Sequence, residues 1–426
     1  MRILYVSHNP PVPLHNGGAQ RTNLIHRALR ELGEVDLIIV STDPVTNREE
    51  LIRDWNLAAD FLWTRPGHRA PFRWILPIKP EFVHRLAQTL TPRAWDYHPD
   101  LAIESQVRAL VAKRRYDVVV GRYLRPTMKS GAVGSGPLCV LDVDDLDTQV
   151  FLSRLNVPGR PAWERAINRW HYRQLRKIVP AQLKKFDLVW VTNEEEGNAG
   201  EELRAVANKA YLPNIPVQVA DEPVDPAAPL PPRPAAAAPL VLFVGNFWVL
   251  PNKLGVDHFV HQVWPKIRAA EPRAVFRIVG AGLGDDLKVK WSQVPGVDPV
   301  GFVPDLRASY AECRFAVVPL LSGAGTNIKV MEALRFGRTC VLTKFSHRGY
   351  GATLPDRDSL LVADGDDAFA AACVELLRDP ALADRLARQG RAAVAQHYSF
   401  EQFSRTVAES IRALLPAPTP ERVAVA

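Results

Sequence analysis

Cysteine is scarce in this sequence. The four present, Cys139, Cys313, Cys340 and Cys373, lie far apart in apolar stretches and form no CxxC pair or cysteine–histidine cluster. Neither a disulfide framework nor a zinc site is indicated, and the cysteines are expected to be buried small hydrophobes. Long apolar runs are missing too: none reaches the roughly 20 residues that cross a bilayer. The opening MRILYVSHNPP enters a short strand-like run without the basic start, long apolar stretch and small-residue cleavage site of a signal peptide, so the expected location is the cytoplasm. Charge of one sign is only mildly in excess, with 53 Lys and Arg against 46 Asp and Glu spread along the chain, net +7. No DNA- or RNA-binding module accompanies it, so nucleic acid is not an expected partner. The dinucleotide fingerprint is also incomplete. Gly280, Gly282 and Gly284 follow the apolar run FRIV, but Asp285 holds the last position of GxGxxG, which argues against a nicotinamide cofactor.

What is present reads as two α/β domains. The chain has 426 residues, 47% apolar and 23% charged, too long for one core and suited to two at roughly 150 residues each. Short β-branched runs alternate with segments of helical period, as in parallel sheets built from βαβ units. Strands are predicted at Arg2 to Ser7, Val35 to Val40, Asp117 to Val120, Cys139 to Asp142 and Leu188 to Thr192, with Ala19 to Leu32 as the first helix. Residues 1–215 form the expected N-terminal domain, and 216–239 a linker whose core, DEPVDPAAPLPPRPAAAAP, has little to bury. Residues 240–398 restart the alternation. Strands are expected at Leu240 to Val244, Val275 to Val279, Phe315 to Pro319 and Thr339 to Thr343, and helices at Val256 to Ala269 and Ile328 to Phe336. Residues 399–416 are expected to be a helix packing back on the first domain, and 417–426 a disordered tail. The fold class expected is thus two Rossmann-like, doubly wound parallel-sheet domains facing a deep cleft.

The segment Gly323 to Gly337, GAGTNIKVMEALRFG, lies between the predicted strands FAVVPLL and TCVLT. In such a strand, loop, helix unit the amides of Thr326 and Asn327 sit at a helix start, where backbone N–H groups and the helix dipole attract phosphate. Gly325 lets the backbone come close. Lys329 adds a point charge to the same diphosphate, and Glu332, three residues on, can accept from two ribose hydroxyls. The alternative is a tight loop followed by a solvated Lys329–Glu332 pair worth a few tenths of a kcal/mol.

This segment resembles the nucleotide-sugar signature of the family 4 retaining glycosyltransferases, G-x-G-T-x-x-K-x-x-E-A, which have the GT-B fold. ILYVSHNPPVPLHNGGAQR resembles their first strand and glycine-rich loop, and LFVGNFWVLPNKLGVDHFV the first strand and loop of their second domain. FRIVGAG, VGFVPDLRASYAECRFAVVPLLSG and PNIPV extend the likeness over most of the chain. The resemblance implies a metal-independent, retaining transferase with no cofactor, taking a nucleotide-diphosphate-sugar to a glycan or lipid-linked acceptor. It implies catalytic roles for Lys329 and Glu332. It also implies donor contacts from Gly17 and Gly18 across the cleft and from Asn246, Lys253, Gly325, Thr326 and Asn327. Three positions depart from the family pattern. Ala324 replaces the first of two glutamates, Asn246 stands where many relatives have arginine, leaving Lys253 as that loop's cation, and Gly121, Arg122 and Tyr123 occupy the place of a common histidine. An epimerase on the same scaffold and an inactive nucleotide-sugar or glycan-binding subunit are the alternatives.

Acceptor or sugar candidates are His8 and His15, which flank the first loop's prolines, Arg122, and the acidic string LDVDDLD with Asp142 and Asp144 at a strand end. Asp144 or Asp145 capping the next helix is the other reading of that string. Asp142 and Asp144 also spell DxD, but no metal is expected, because the phosphate-binding segment supplies the positive charge. Finally, AWERAINRWHYRQLRKIVPAQLKKF, Ala162 to Phe186, combines Trp163, Trp170 and Tyr172 with a basic excess. It suits either an anionic membrane surface at the inner face of the cell membrane or a core-covering helix.

Overall fold

The computed structural model describes residues 1–14, 17–63, 93–136, 138–144, 146–155, 161–192, 202–217, 221–222, 224–232, 238–323 and 326–415. His15, Asp145, Ala324, Gly325 and the tail 417–426 lie outside the described residues. The chain forms two compact units, one of Met1–Val191, Gly197–Leu212 and Phe403–Ala426, the other of Thr192–Glu196 and Pro213–Gln402.

Unit 1 is built on a seven-stranded sheet of β1 (Arg2–Ser7), β2 (Glu34–Ser41), β3 (Leu57–Leu62), β4 (Val118–Arg122), β5 (Leu138–Val143), β6 (Leu188–Val191) and β7 (Lys209–Tyr211). Their order is β3-β2-β1-β4-β5-β6-β7, and every pair is parallel. Helices cover both faces of such a sheet, so its inner strands are apolar throughout rather than alternating. In β1 all but Arg2 is buried, and in β2 all but Glu34. The first helix runs Gly17–Arg30 and buries Leu24, Ile25, Ala28 and Leu29, the face its 3.6-residue period marks out. The final helix, Phe400–Arg412, carries the chain back into unit 1. There Trp190 Nε1 donates to Ser410 Oγ at 3.0 Å, Ser404 bonds Glu31, and the Arg21 guanidinium lies 5.9 Å from the Phe403 ring centre.

Unit 2 has a six-stranded parallel sheet of β8 (Leu240–Val244), β9 (Val275–Val279), β10 (Val297–Gly301), β11 (Phe315–Val318), β12 (Cys340–Leu342) and β13 (Leu361–Val362). The order is β10-β9-β8-β11-β12-β13. The helix expected at Val256 to Ala269 begins earlier and has three parts: a helix Leu250–His258, a π-helical turn Phe259–Val263, and a helix Trp264–Ala270. Pro251 sets the early start, since proline suits a first helical turn, where its missing N–H costs nothing. Strands β3, β7, β10 and β13 escape the sequence reading because they are short or polar, and VDPVG in β10 contains Pro299.

The Pro- and Ala-rich stretch buries few large side chains, yet it is fastened to unit 2. Proline removes donors but leaves every carbonyl as an acceptor, and arginines read them. Arg338 Nη2 donates to Pro231 O and Arg391 Nη1 to Ala228 O, both at 3.0 Å. Glu222 pairs with Arg307 at 2.9 Å and with Arg335. The four cysteines are free and buried. No described helix is long and apolar enough to cross a membrane.

Candidate functional site

In a doubly wound sheet the ligand crevice opens at the carboxyl ends of the two strands between which the strand order reverses. In unit 2 these are β8 and β11. The loop after β8 leads into the helix Leu250–His258, and the loop after β11 leads into the helix Lys329–Arg335.

The two loops are brought together by small residues. A Cβ on Gly255 would lie 2.9 Å from Pro319 O and from Leu320 Cδ2, so glycine lets the first helix rest on the loop after β11. A Cβ on Gly280 would lie 1.7 Å from Gly245 O, and this close approach zips the β8 loop to the β9 loop. Backbone bonds from Gly245 N to Val279 O (3.0 Å) and from Phe247 N to Ala281 O (2.8 Å) complete the zip.

Lys329 is held at this junction. Its Nζ donates to Asn252 Oδ1 at 2.7 Å and stands 4.8 Å from the Phe243 ring centre. Asn252 is fixed in turn, its Nδ2 donating to Asn246 O at 2.7 Å, while Asn246 Oδ1 accepts from Trp248 N at 2.8 Å. Burial lowers the Lys329 pKa to about 8, although the nearby Glu332 carboxylate opposes the shift. Burial likewise raises Glu332 to about 7, against the pull of Lys329 and Arg335. Desolvation is the larger effect in both cases: among the described residues neither group forms an ion pair, and Lys329 is held by a neutral amide. An arriving anion meets a cation that is aimed and only partly neutralised.

Thr326 Oγ1 donates to Thr192 O at 3.1 Å, and Asn327 Nδ2 to Ser346 O at 3.3 Å. Tyr350 Oη donates to Asn327 O at 2.9 Å, which pins the turn just before the helix. Among the described residues no carbonyl accepts from the amides of Thr326 and Asn327. Lys253 is half-buried and makes no ion pair among the described residues. Sequence reasoning selected Lys253 and passed over its neighbour Asn252, which is the one that turns inward to hold Lys329. Adjacent helical residues point about 100° apart, and only packing decides which faces in.

Unit 1 has its own reversal between β1 and β4. Arg122 ends β4 and Asp142 lies in β5; both are fully buried. Arg21 reaches Asp142 at 2.6 Å and Arg122 reaches it at 2.5 Å, while Arg122 Nη2 also meets Asp144 at 3.0 Å. This corrects two expectations. Arg122 is buried in ion pairs rather than presented as an open fork for an acceptor, and the Asp142 carboxylate is taken up by Arg21 and Arg122. The buried Arg21 and Arg122 are neutralised by the buried Asp142 and the partly exposed Asp144, which is what makes their burial tolerable. Asp144 likewise pairs with Arg122. Tyr123, half-buried beside it, holds φ at +61°, a rare conformation for a bulky residue. His8 follows β1. Its Nδ1 donates to Val40 O at 3.1 Å, and burial lowers its pKa, so the ring is neutral at pH 7. Gly17 and Gly18 open the first helix, with Gly18 O accepting from Thr22 Oγ1 at 3.0 Å.

Comparison with known proteins agrees with this architecture. Residues 238–379 match the family model described as glycosyl transferases group 1. Over 139 residues the chain is 28% identical to an uncharacterized 44.6 kDa protein in the cps region of Klebsiella pneumoniae, a match over 30% of this chain and 35% of that protein's length. Among solved structures, sucrose-phosphate synthase from Thermosynechococcus elongatus is similar with a TM-score of 0.63 at 18% identity, covering 97% of this chain and 98% of that one. HepE of Anabaena in complex with UDP gives 0.61 at 12% identity, covering 97% and 100%. The same Anabaena protein is also known in complex with UDP-glucose. The fold is GT-B, and the group 1 domain supports a glycosyltransferase.

Proposed function

We propose that the chain is a retaining glycosyltransferase that moves a sugar from a nucleotide-diphosphate donor to a glycan or lipid-linked saccharide, with no metal ion or cofactor. The observation that carries this reading is the Lys329 ammonium, fixed by Asn252 at the switch point of a group 1 glycosyltransferase domain. Negative charge grows on the leaving diphosphate as the glycosidic bond breaks, and a preorganised cation with nearby amides stabilises it without reorganisation. Lys329 supplies the charge, Thr326, Asn327 and Gly325 the backbone donors, and Asn246 and Lys253 the facing loop. Glu332 accepts from the ribose hydroxyls. Ionisation near pH 7 makes it a strong acceptor once a bound donor keeps the neighbouring lysine charged. Retention follows from the family 4 resemblance. His8, neutral and half-buried, is the unit 1 candidate for acceptor contact.

The donor's base is approached through the relatives. HepE was captured with UDP and UDP-glucose, which makes a uridine diphosphate the first donor to try. Thermal shift and calorimetry with UDP, GDP and ADP identify the base, since a ligand for the folded state raises its melting temperature. Release of free nucleotide from the matching sugar donor then demonstrates transfer or hydrolysis. Isomerisation of the sugar without release would make the chain an epimerase, and binding without turnover a binding subunit. A lipid-linked acceptor would be met at the inner face of the cell membrane, where the proposed reaction belongs.

A further inference from the structure

The helix Ala162–Leu183 of unit 1 has two unlike faces. His171, Leu175, Val179 and Leu183 recur every four residues and are buried, and the last three belong to the unit's core. The opposite face carries exposed side chains among the described residues. At 3.6 residues per turn, Trp163, Trp170, Lys177, Ala166, Arg173 and Arg169 fall in that sequence within an arc of about 120°. Trp163 is 62% exposed and Trp170 41% exposed, although tryptophan is among the side chains with most to gain from burial. The cations beside them are exposed as well. Among the described residues Arg169, Arg173 and Lys177 meet no carboxylate, whereas Arg48, Arg53, Arg108 and Arg114 of the same unit each do. The helix contains one acidic residue, Glu164, and it lies outside the arc.

We infer that this face docks unit 1 on an anionic lipid surface. Indoles settle at the boundary between headgroups and acyl chains, and arginine and lysine heads reach lipid phosphates from the same depth by extending their apolar stems. Charge complementarity selects the occupant: a strip of unpaired cations edged by two tryptophans fits a negatively charged interface better than a nucleic acid, whose single-strand readers need a groove. The inference extends the membrane contact within the proposed function and rests on it only for the lipid-linked acceptor; the docking face itself stands on its own residues.

The test is flotation of the full chain with vesicles of phosphatidylcholine alone and of phosphatidylcholine with phosphatidylglycerol, at about 0.1 M and about 1 M salt. Binding is expected only with phosphatidylglycerol, and mainly at low salt. Arg169→Glu/Arg173→Glu should lower partitioning on the order of 10- to 100-fold. Trp163→Ser/Trp170→Ser should lower it on the order of 10-fold and leave the residual binding more salt-sensitive. Because Arg169 and Arg173 are exposed, the arginine variant should melt as the parent does; the tryptophan variant loses the Trp170 contact with His171 and should melt somewhat lower, and both should keep the thermal shift given by nucleotide diphosphate. Equal binding to both vesicle types, parental binding by the Arg169→Glu/Arg173→Glu chain, or retention on an RNA homopolymer without vesicle binding would overturn the inference. Loss of the nucleotide shift in the parent chain would count against the transferase reading alone.

Discussion

The Lys329 ammonium donates to Asn252 Oδ1 at 2.7 Å with the Phe243 ring beneath it, 4.8 Å from the ring centre. A lysine carried on a flexible stem is thereby aimed, and it is aimed by a neutral partner. The hydrogen bond fixes direction without satisfying the charge, which leaves the charge available to a diphosphate.

Removing that charge should strike turnover before it strikes folding. Lys329→Ala is expected to reduce kcat by a factor on the order of 10² to 10³, as when an oxyanion donor is deleted. Steady-state release of nucleotide from the sugar donor measures it, and near-parental kcat would remove Lys329 from the mechanism.

Asn252 is a positioning residue, so its variants should act through Lys329. Asn252→Asp puts a carboxylate where the amide was, favours the charged lysine, and should carry the alkaline limit of nucleotide binding above about pH 8. Asn252→Ala frees the stem and should raise the dissociation constant without that shift. A pH series of calorimetric titrations separates the two, and an unchanged alkaline limit in the Asp variant would dismiss the coupling.

Glu332→Gln keeps the shape but loses the charged acceptor for the ribose hydroxyls. Hydrogen bonds to charged groups contribute about 1.5 to 3 kcal/mol, so nucleotide diphosphate should bind on the order of 10- to 100-fold more weakly. Inorganic diphosphate, which lacks the ribose, should lose far less. Equal losses for both ligands would place Glu332 away from the ribose.

The same pair gives stability a pH signature. Glu332 rises from 4.5 to about 7 on folding, so between these values the folded chain holds a proton that the unfolded chain has released, and this contribution falls as pH rises. Lys329 drops from 10.5 to about 8, so above about 8 the unfolded chain binds more protons and its contribution recovers with pH. The two together place a minimum between about pH 7 and pH 8. Urea unfolding across that range should show the dip in the parent and not in Lys329→Met/Glu332→Gln.

Unit 1 offers a test of burial rather than chemistry. Arg122→Met removes one cation from the buried set of Arg21, Asp142 and Asp144, leaving a net negative charge inside the unit. Breaking a buried pair from one side costs about 3 to 5 kcal/mol, readable as a lower urea midpoint. A loss below about 1 kcal/mol would mean that Asp144 is hydrated instead.

Sequence alone determined the layered plan. Strands such as Leu240–Val244 and Val275–Val279 are legible end to end because a parallel strand covered on both faces is apolar at every position, a signal that needs no partner to be read. The helix Gly17–Arg30 is legible because its buried face repeats with the helical turn. Lys329 and Glu332 were singled out by the resemblance of GAGTNIKVMEALRFG to a nucleotide-sugar signature, since their spacing alone fits a solvated pair equally well. Tertiary structure alone decided who touches whom. Asn252 rather than Lys253 meets Lys329, Asp142 is spent on Arg21 and Arg122, and carbonyls of the proline-rich stretch are held by Arg338 and Arg391. Periodicity is a property of neighbours along the chain, whereas each of these contacts joins residues 20 to 163 positions apart, and only packing fixes which of several polar side chains finds the partner.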